Sequence, residues 1–113
     1  MRTCNIGVTS RDEFNRRAKD AFKGIKQGSH IGFISLELMH RTLTPNRWQM
    51  LQAMMGQGPM GIRELARKLD RDVKSTHSDV TALVKGGVIN RSEDGSVEFP
   101  YDAIHVDFIV KAA

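Results

Sequence analysis

The sequence predicts an α+β fold, and three patterns predict it. Residues 61–99 read as two short amphipathic helices, a tight turn and a hairpin. A further helix start at Thr44-Pro45 precedes them. Segments at 31–36 and 102–110 have the composition and alternation of strands. At 113 residues, with 40% apolar and 27% charged side chains, the chain suits one ordinary globular domain with a modest core.

The N-terminal extension covers residues 1–42. Asn5–Val8 suits a short strand or a frayed arm. Ser10-Arg11-Asp12-Glu13 reads as a capping box, in which hydroxyl and carboxylate satisfy orphan amides at a helix start. Phe14, Ala18, Ala21, Phe22 and Ile25 then share one helical face, opposite Arg16, Arg17, Lys19, Lys23 and Lys26. Gly24 weakens this helix by about 1 kcal/mol relative to alanine, and Gly28 ends it. Ile31–Leu36 reads as a strand covered on both faces, and the pattern also allows a short helix over Leu36–Thr42. This extension is expected to make a dimer or partner contact.

Residues 43–101 form the central unit. Thr44 caps a helix with Pro45 at its first position, and Trp48, Leu51, Ala53, Met54 and Met55 give it an apolar face. Gly56-Gln57-Gly58-Pro59 is a loop. Gly61 serves as the next N-cap with Glu64 in the first turn, and Ile62, Leu65, Ala66 and Leu69 form one stripe. Asp70-Arg71-Asp72 breaks the pattern, and Asp70 or Asp72 caps the following helix. That helix carries Val73, Thr76, Val80, Leu83 and Val84 on one side and Lys74, Ser75, His77, Ser78, Thr81 and Lys85 on the other, until Gly86-Gly87 stops it. Val88–Arg91 and Ser96–Phe99 are the strands of a hairpin turning at Ser92-Glu93-Asp94-Gly95. Pro100 ends the second strand or occupies an edge.

Residues 102–113 form a tail. Ile104, Val106, Phe108 and Val110 alternate with His105, Asp107 and Ile109, which favours a strand over a short helix. Such an apolar face needs cover, so the strand is expected to pair with the N-terminal strand or another subunit.

Helix, turn, helix, hairpin is the order of a winged helix-turn-helix, and short motifs strengthen the likeness. Ile62-Arg63-Glu64-Leu65-Ala66 resembles the I-x-E-L-A opening of bacterial regulator helices. Thr76-His77-Ser78-Asp79-Val80-Thr81-Ala82-Leu83 resembles the recognition helix of DeoR-type repressors, and Gly87-Val88-Ile89 the start of the wing in MarR, ArsR and DeoR regulators. Leu43-Thr44-Pro45 with Arg47-Trp48 is similar to the first helix of MarR-like proteins, extending the resemblance to residues 43–101. The resemblance implies a winged helix-turn-helix with an extra N-terminal helix and strand, acting as a transcriptional regulator on double-stranded DNA. His77 and Ser78 stand where that pattern has two arginines, which implies less discriminating base contacts.

Charge supports a nucleic-acid partner. The net charge is +4, but residues 1–60 carry +5, residues 61–91 carry +3 and residues 92–113 carry −4. The basic part suits a phosphate backbone; the acidic tail is expected to face away from it. The DNA-binding candidates are Arg63, Arg71, Lys74, Ser75, His77, Ser78, Thr81, Lys85 and Arg91. Arg67 and Lys68 are further phosphate candidates, while Glu93 and Asp94 make the hairpin tip unsuited to phosphate.

Other classes fit poorly. No apolar run reaches the roughly 18 residues of a membrane span, and the polar sequence after Met1-Arg2-Thr3-Cys4 is not a signal peptide. A lone cysteine, Cys4, suits a reducing cytoplasm. Ser75, His77 and Asp79 cannot form a triad on one helix, since residues two apart diverge by roughly 200°, and no nucleophile elbow or phosphate loop is present. Cys4, His30, His40, His77 and His105 match no common zinc spacing, so neither metal nor cofactor is expected. RNA binding is disfavoured because no aromatic-rich sheet face is apparent. The expected function is that of a homodimeric, sequence-specific DNA-binding repressor. The alternative is an antitoxin that also neutralises a small protein toxin, with the tail at 102–113 as the second surface.

Overall fold

A computed structural model describes residues 1–9 and 30–113, together with Asp12, Asn15, Arg16 and Lys19. Those four residues are helical; the rest of the expected capping box and helix, with Gly24 and Gly28, lies outside the described residues. The described elements run β1 (Thr3–Val8), β2 (His30–Phe33), α1 (Leu36–Thr42), α2 (Pro45–Met54), α3 (Ile62–Leu69), α4 (Val73–Lys85), β3 (Asn90–Arg91), β4 (Val97–Glu98) and β5 (Ala103–Asp107).

Both ends of the chain meet in one sheet. Its order is β2-β1-β5, with parallel pairing on both sides of β1. Asn5–Val8 therefore belongs to a central strand rather than a frayed arm. Cys4 and Ile6 point into the core, and the register sets Ile104 beside Cys4 and Val106 beside Ile6, on that same face. The strand in the tail pairs with the N-terminal strand as expected. At Gly7 the backbone of β5 lies too close for a side chain: a Cβ there would lie 2.5 Å from the Asp107 carbonyl oxygen. The start of the sheet is pinned by the Arg2 amide, which donates to Asp102 Oδ2 at 2.9 Å, and by the Arg2 guanidinium, 5.3 Å from the Tyr101 ring centre.

The strand expected over Ile31–Leu36 stops at Phe33. Ser35 takes an extended conformation and accepts from the Leu38 amide, so it caps α1 and the chain turns from sheet to helix. The short helix allowed over Leu36–Thr42 is observed with those bounds. Thr44 caps α2, with Pro45 at its first turn. Gly61 leads into α3, and Asp70 closes it in the left-handed conformation, φ 54°. Asp72 caps α4 by accepting from the Ser75 amide at 2.7 Å. At the far end, the Gly87 amide donates to Val84 O and the Val88 amide to Leu83 O, with Gly87 at φ 73°. That paired closure uses glycine's tolerance of positive φ to satisfy two orphan carbonyls.

The hairpin is shorter than expected. Val88 and Ile89 are buried but form no ladder, and β3 begins only at Asn90. Their side chains instead fill the core beneath α4. The segment before α3 contributes a further rung: Met60 and Val97 exchange both backbone hydrogen bonds at 2.8 Å. One core cluster joins everything, from Cys4, Ile6 and Phe33 of the sheet through Met50, Leu51 and Met54 of α2, Leu65 of α3, and Val80 and Leu83 of α4 to Val97 and Phe99. Each such fully buried side chain contributes about 1.5–3 kcal/mol. Among the described residues, no helix is long and apolar enough to cross a membrane.

Candidate nucleic-acid interface

α4 is the element that presents polar groups. At roughly 100° per residue, positions 74, 77, 78, 81 and 85 fall on one side of the helix, opposite Thr76, Val80 and Leu83. The latter three are fully buried, so packing fixes which side faces outward. Lys74, His77, Ser78 and Lys85 are exposed and Thr81 is half-buried. Two of the hydroxyls expected to reach outward are spoken for locally. Ser75 Oγ donates to Asp72 Oδ2 at 2.5 Å, and Thr81 Oγ1 donates to the His77 carbonyl at 2.9 Å. The free donors on the face are thus Lys74, His77, Ser78 and Lys85.

The Asp72 carboxylate is held below the ordinary carboxylate range, first by the Ser75 hydroxyl and then by the Ser75 amide. Its negative charge sits at the positive end of α4. On the hairpin, Asp94 is lowered in the same way by the Ser96 hydroxyl and amide. Asp94 therefore stays charged at the tip, where its role is to close the turn.

A cleft of about 580 Å³ lies between α4, the start of α3 and the hairpin, lined by Arg63, Val73, His77, Arg91, Asp94 and Ser96 among others. It brings together three of the expected site residues from separate elements: Arg63 on α3, His77 on α4 and Arg91 on β3. Arg63 and Arg91 are exposed, as are Arg67 and Lys68.

Arg71 stands apart from this set. Its Nη2 donates to Asp79 Oδ2 at 2.9 Å, and its side chain is only 24% exposed. Arg47 reaches the other carboxylate oxygen, Nε to Oδ1 at 3.1 Å, while its Nη1 donates to the Thr42 carbonyl at 2.9 Å and the Arg41 carbonyl at 3.4 Å. Asp79 is thereby bridged by two arginines, tying α4 to the α1–α2 junction and to the α3–α4 turn. The sequence reading missed this bridge. Its one visible signal is an acidic residue in the middle of an otherwise basic helix, with arginines near both flanking helix starts.

The bridge and the cap also separate the members of the triad considered from sequence: Ser75 bonds Asp72 and Asp79 bonds arginine. Among the described residues, no group of three or more His, Cys, Asp or Glu side chains is placed to hold a metal ion.

No curated protein matches the chain. The family comparison does find a match, spanning α2, α3, α4, the hairpin and most of β5, the elements that build and support this face. Residues 42–106, more than half of the chain, match the HVO_A0114 family model, and the chain belongs to the HVO_A0114 family.

Proposed function

We propose that this protein is a DNA-binding regulator of the winged helix-turn-helix type that acts as a homodimer, with α4 as its recognition helix and β3–β4 as its wing. The observation that carries the reading is the one-sided face of α4, with Lys74, His77, Ser78 and Lys85 outward and Thr76, Val80 and Leu83 sealed in the core. A helix so presented suits the major groove, where phosphate contacts position the protein and base edges are read by the outward side chains. Arg63 and Arg91 flank it across the cleft and supply cations for the backbone. The antiparallel rung between Met60 and Val97 lays the hairpin beside α3, as a wing requires. Arg71 is better placed as a brace for Asp79 than as a phosphate contact.

The test is a mobility-shift titration over a salt series, using the DNA upstream of the protein's own gene and an unrelated duplex of equal length. Retardation at low salt that weakens steeply as salt rises is expected. Replacing Lys74 and Ser78 together with alanine should weaken specific more than non-specific binding. Arg63→Ala should weaken both alike and lower the salt slope by about one contact. No retardation at low salt would remove the reading.

A further inference from the structure

β5 is an edge strand that lacks the usual protection. The sheet order leaves one side of β5 without a neighbouring strand among the described residues. Ala103–Asp107 contains neither lysine nor proline, the residues that commonly blunt an edge. Val106 and Phe108 are more than a third exposed, and Ile109 and Val110 more so. Beside the strand lies a groove of about 470 Å³, lined by Trp48, Gln52 and Met55 of the α2 region and by Ile104 and Val106.

We propose that the occupant of this edge is β5 of a second copy, paired antiparallel about a two-fold axis at Val106. The choice of partner and register follows from what that axis would set side by side. Opposed residues in an antiparallel pair share a face. With Val106 opposite itself, Ile104 on the groove side meets the partner's Phe108, the residue just past β5, once the strand pairing extends to it. His105 meets the partner's Asp107 on the other face, and Asp107 meets the partner's His105. The strand is thus self-complementary twice over: two apolar pairs fill the two symmetry-related grooves, and two imidazole–carboxylate pairs line the outer face. Within one copy, His105 Nε2 and Asp107 Oδ2 are already on that face, 4.0 Å apart and both well exposed. A two-fold one residue earlier would set His105 against itself and Phe108 against Asp102, losing both complementarities. The contact joins two three-stranded sheets into one of six, and it is isologous, as a closed dimer requires.

This interface supplies the dimer in the regulator reading above but stands on β5 alone. A dimer that fails to bind DNA counts against that reading only; a monomer that binds DNA counts against this interface and against the homodimer in that reading, and leaves its DNA-binding helix standing.

The experiment is solution mass by light scattering over a dilution series of the full chain, combined with single-cysteine cross-linking. The Cys4 thiol is fully buried, and burial pushes its pKa up, so it does not compete. Opposed Cα atoms in an antiparallel pair are about 4.5–5.5 Å apart, within disulfide range. Val106→Cys should therefore give a covalent dimer under mild oxidation. His105→Cys should not, because in this register the two copies of residue 105 lie about 8 Å apart. Val106→Lys and Phe108→Lys, at exposed positions, should leave a folded monomer with unchanged circular dichroism. A monomeric wild-type chain at tens of micromolar, with or without a different protein co-purifying, overturns the proposal. So does cross-linking at 105 in preference to 106, or a folded Val106→Lys chain that remains dimeric.

Discussion

Asp79→Ala should be a costly change on α4, even though Asp79 lies outside both the outward face and the apolar core. The substitution removes Nε–Oδ1 and Nη2–Oδ2 contacts of 3.1 and 2.9 Å and leaves Arg47 and Arg71 facing each other without their shared anion. Each hydrogen bond to a charged group is worth about 1.5–3 kcal/mol net, which sets a gross loss of about 3–6 kcal/mol. Two effects reduce it. The three side chains are 16–24% exposed, so water recovers part of the arginines' solvation. Alanine is also the better helix former, by about half a kcal/mol. The expected net loss is about 2–4 kcal/mol, which lowers the urea midpoint by about 1–2 M for a domain of this size. Trp48, the single tryptophan, lies on α2 beside this junction and reports the transition by fluorescence. A double-mutant cycle with Arg47→Ala isolates the bridge, with an expected coupling of about 1–3 kcal/mol. A loss under about 0.5 kcal/mol, typical of an exposed ion pair, or zero coupling in the cycle, would refute the reasoning. The functional corollary is that Asp79 positions α4 rather than touching DNA, so any binding lost in Asp79→Ala should track lost structure.

Two further perturbations probe the ends of the same helix. Gly87→Ala places a Cβ in open space but at φ 73°, so its cost is purely conformational, about 1–2 kcal/mol, and should appear as a lower thermal midpoint with an unchanged spectrum. Asp72→Ala removes the N-cap of α4 and destabilises the chain at neutral pH. Because the folded-state pKa of Asp72 is depressed, its contribution is full above the unfolded value of about 3.9 and is lost as pH falls through the lower folded value. The stability gap between wild type and variant should therefore narrow in that acid window, and a gap independent of pH would show that the carboxylate charge does not matter.

Much of the local structure was legible in the sequence because local chemistry dictates it. Thr44-Pro45, Asp72 and Gly86-Gly87 mark helix ends that the structure places there, since caps and left-handed closures depend on a few neighbouring residues. The buried and outward sides of α4 likewise follow from 3.6-residue periodicity. Shorter features were less readable. The strand at Ile31–Leu36 lost its end to the Ser35 cap, and the hairpin strand lost Val88 and Ile89 to the core, because apolar runs of this length serve strand and core filling equally.

What no stretch of sequence carries is the pairing of segments far apart along the chain. The parallel set of β2, β1 and β5, the rung between Met60 and Val97, and the bridge of Arg47, Asp79 and Arg71 join residues up to about a hundred positions apart. Residue type decided which segments could be helix, strand or turn; only packing around the shared core decided which of them became neighbours. The reason is physical. Capping and periodicity act within a few residues of chain, whereas sheet order and ion-pair choice depend on which apolar faces must be buried together.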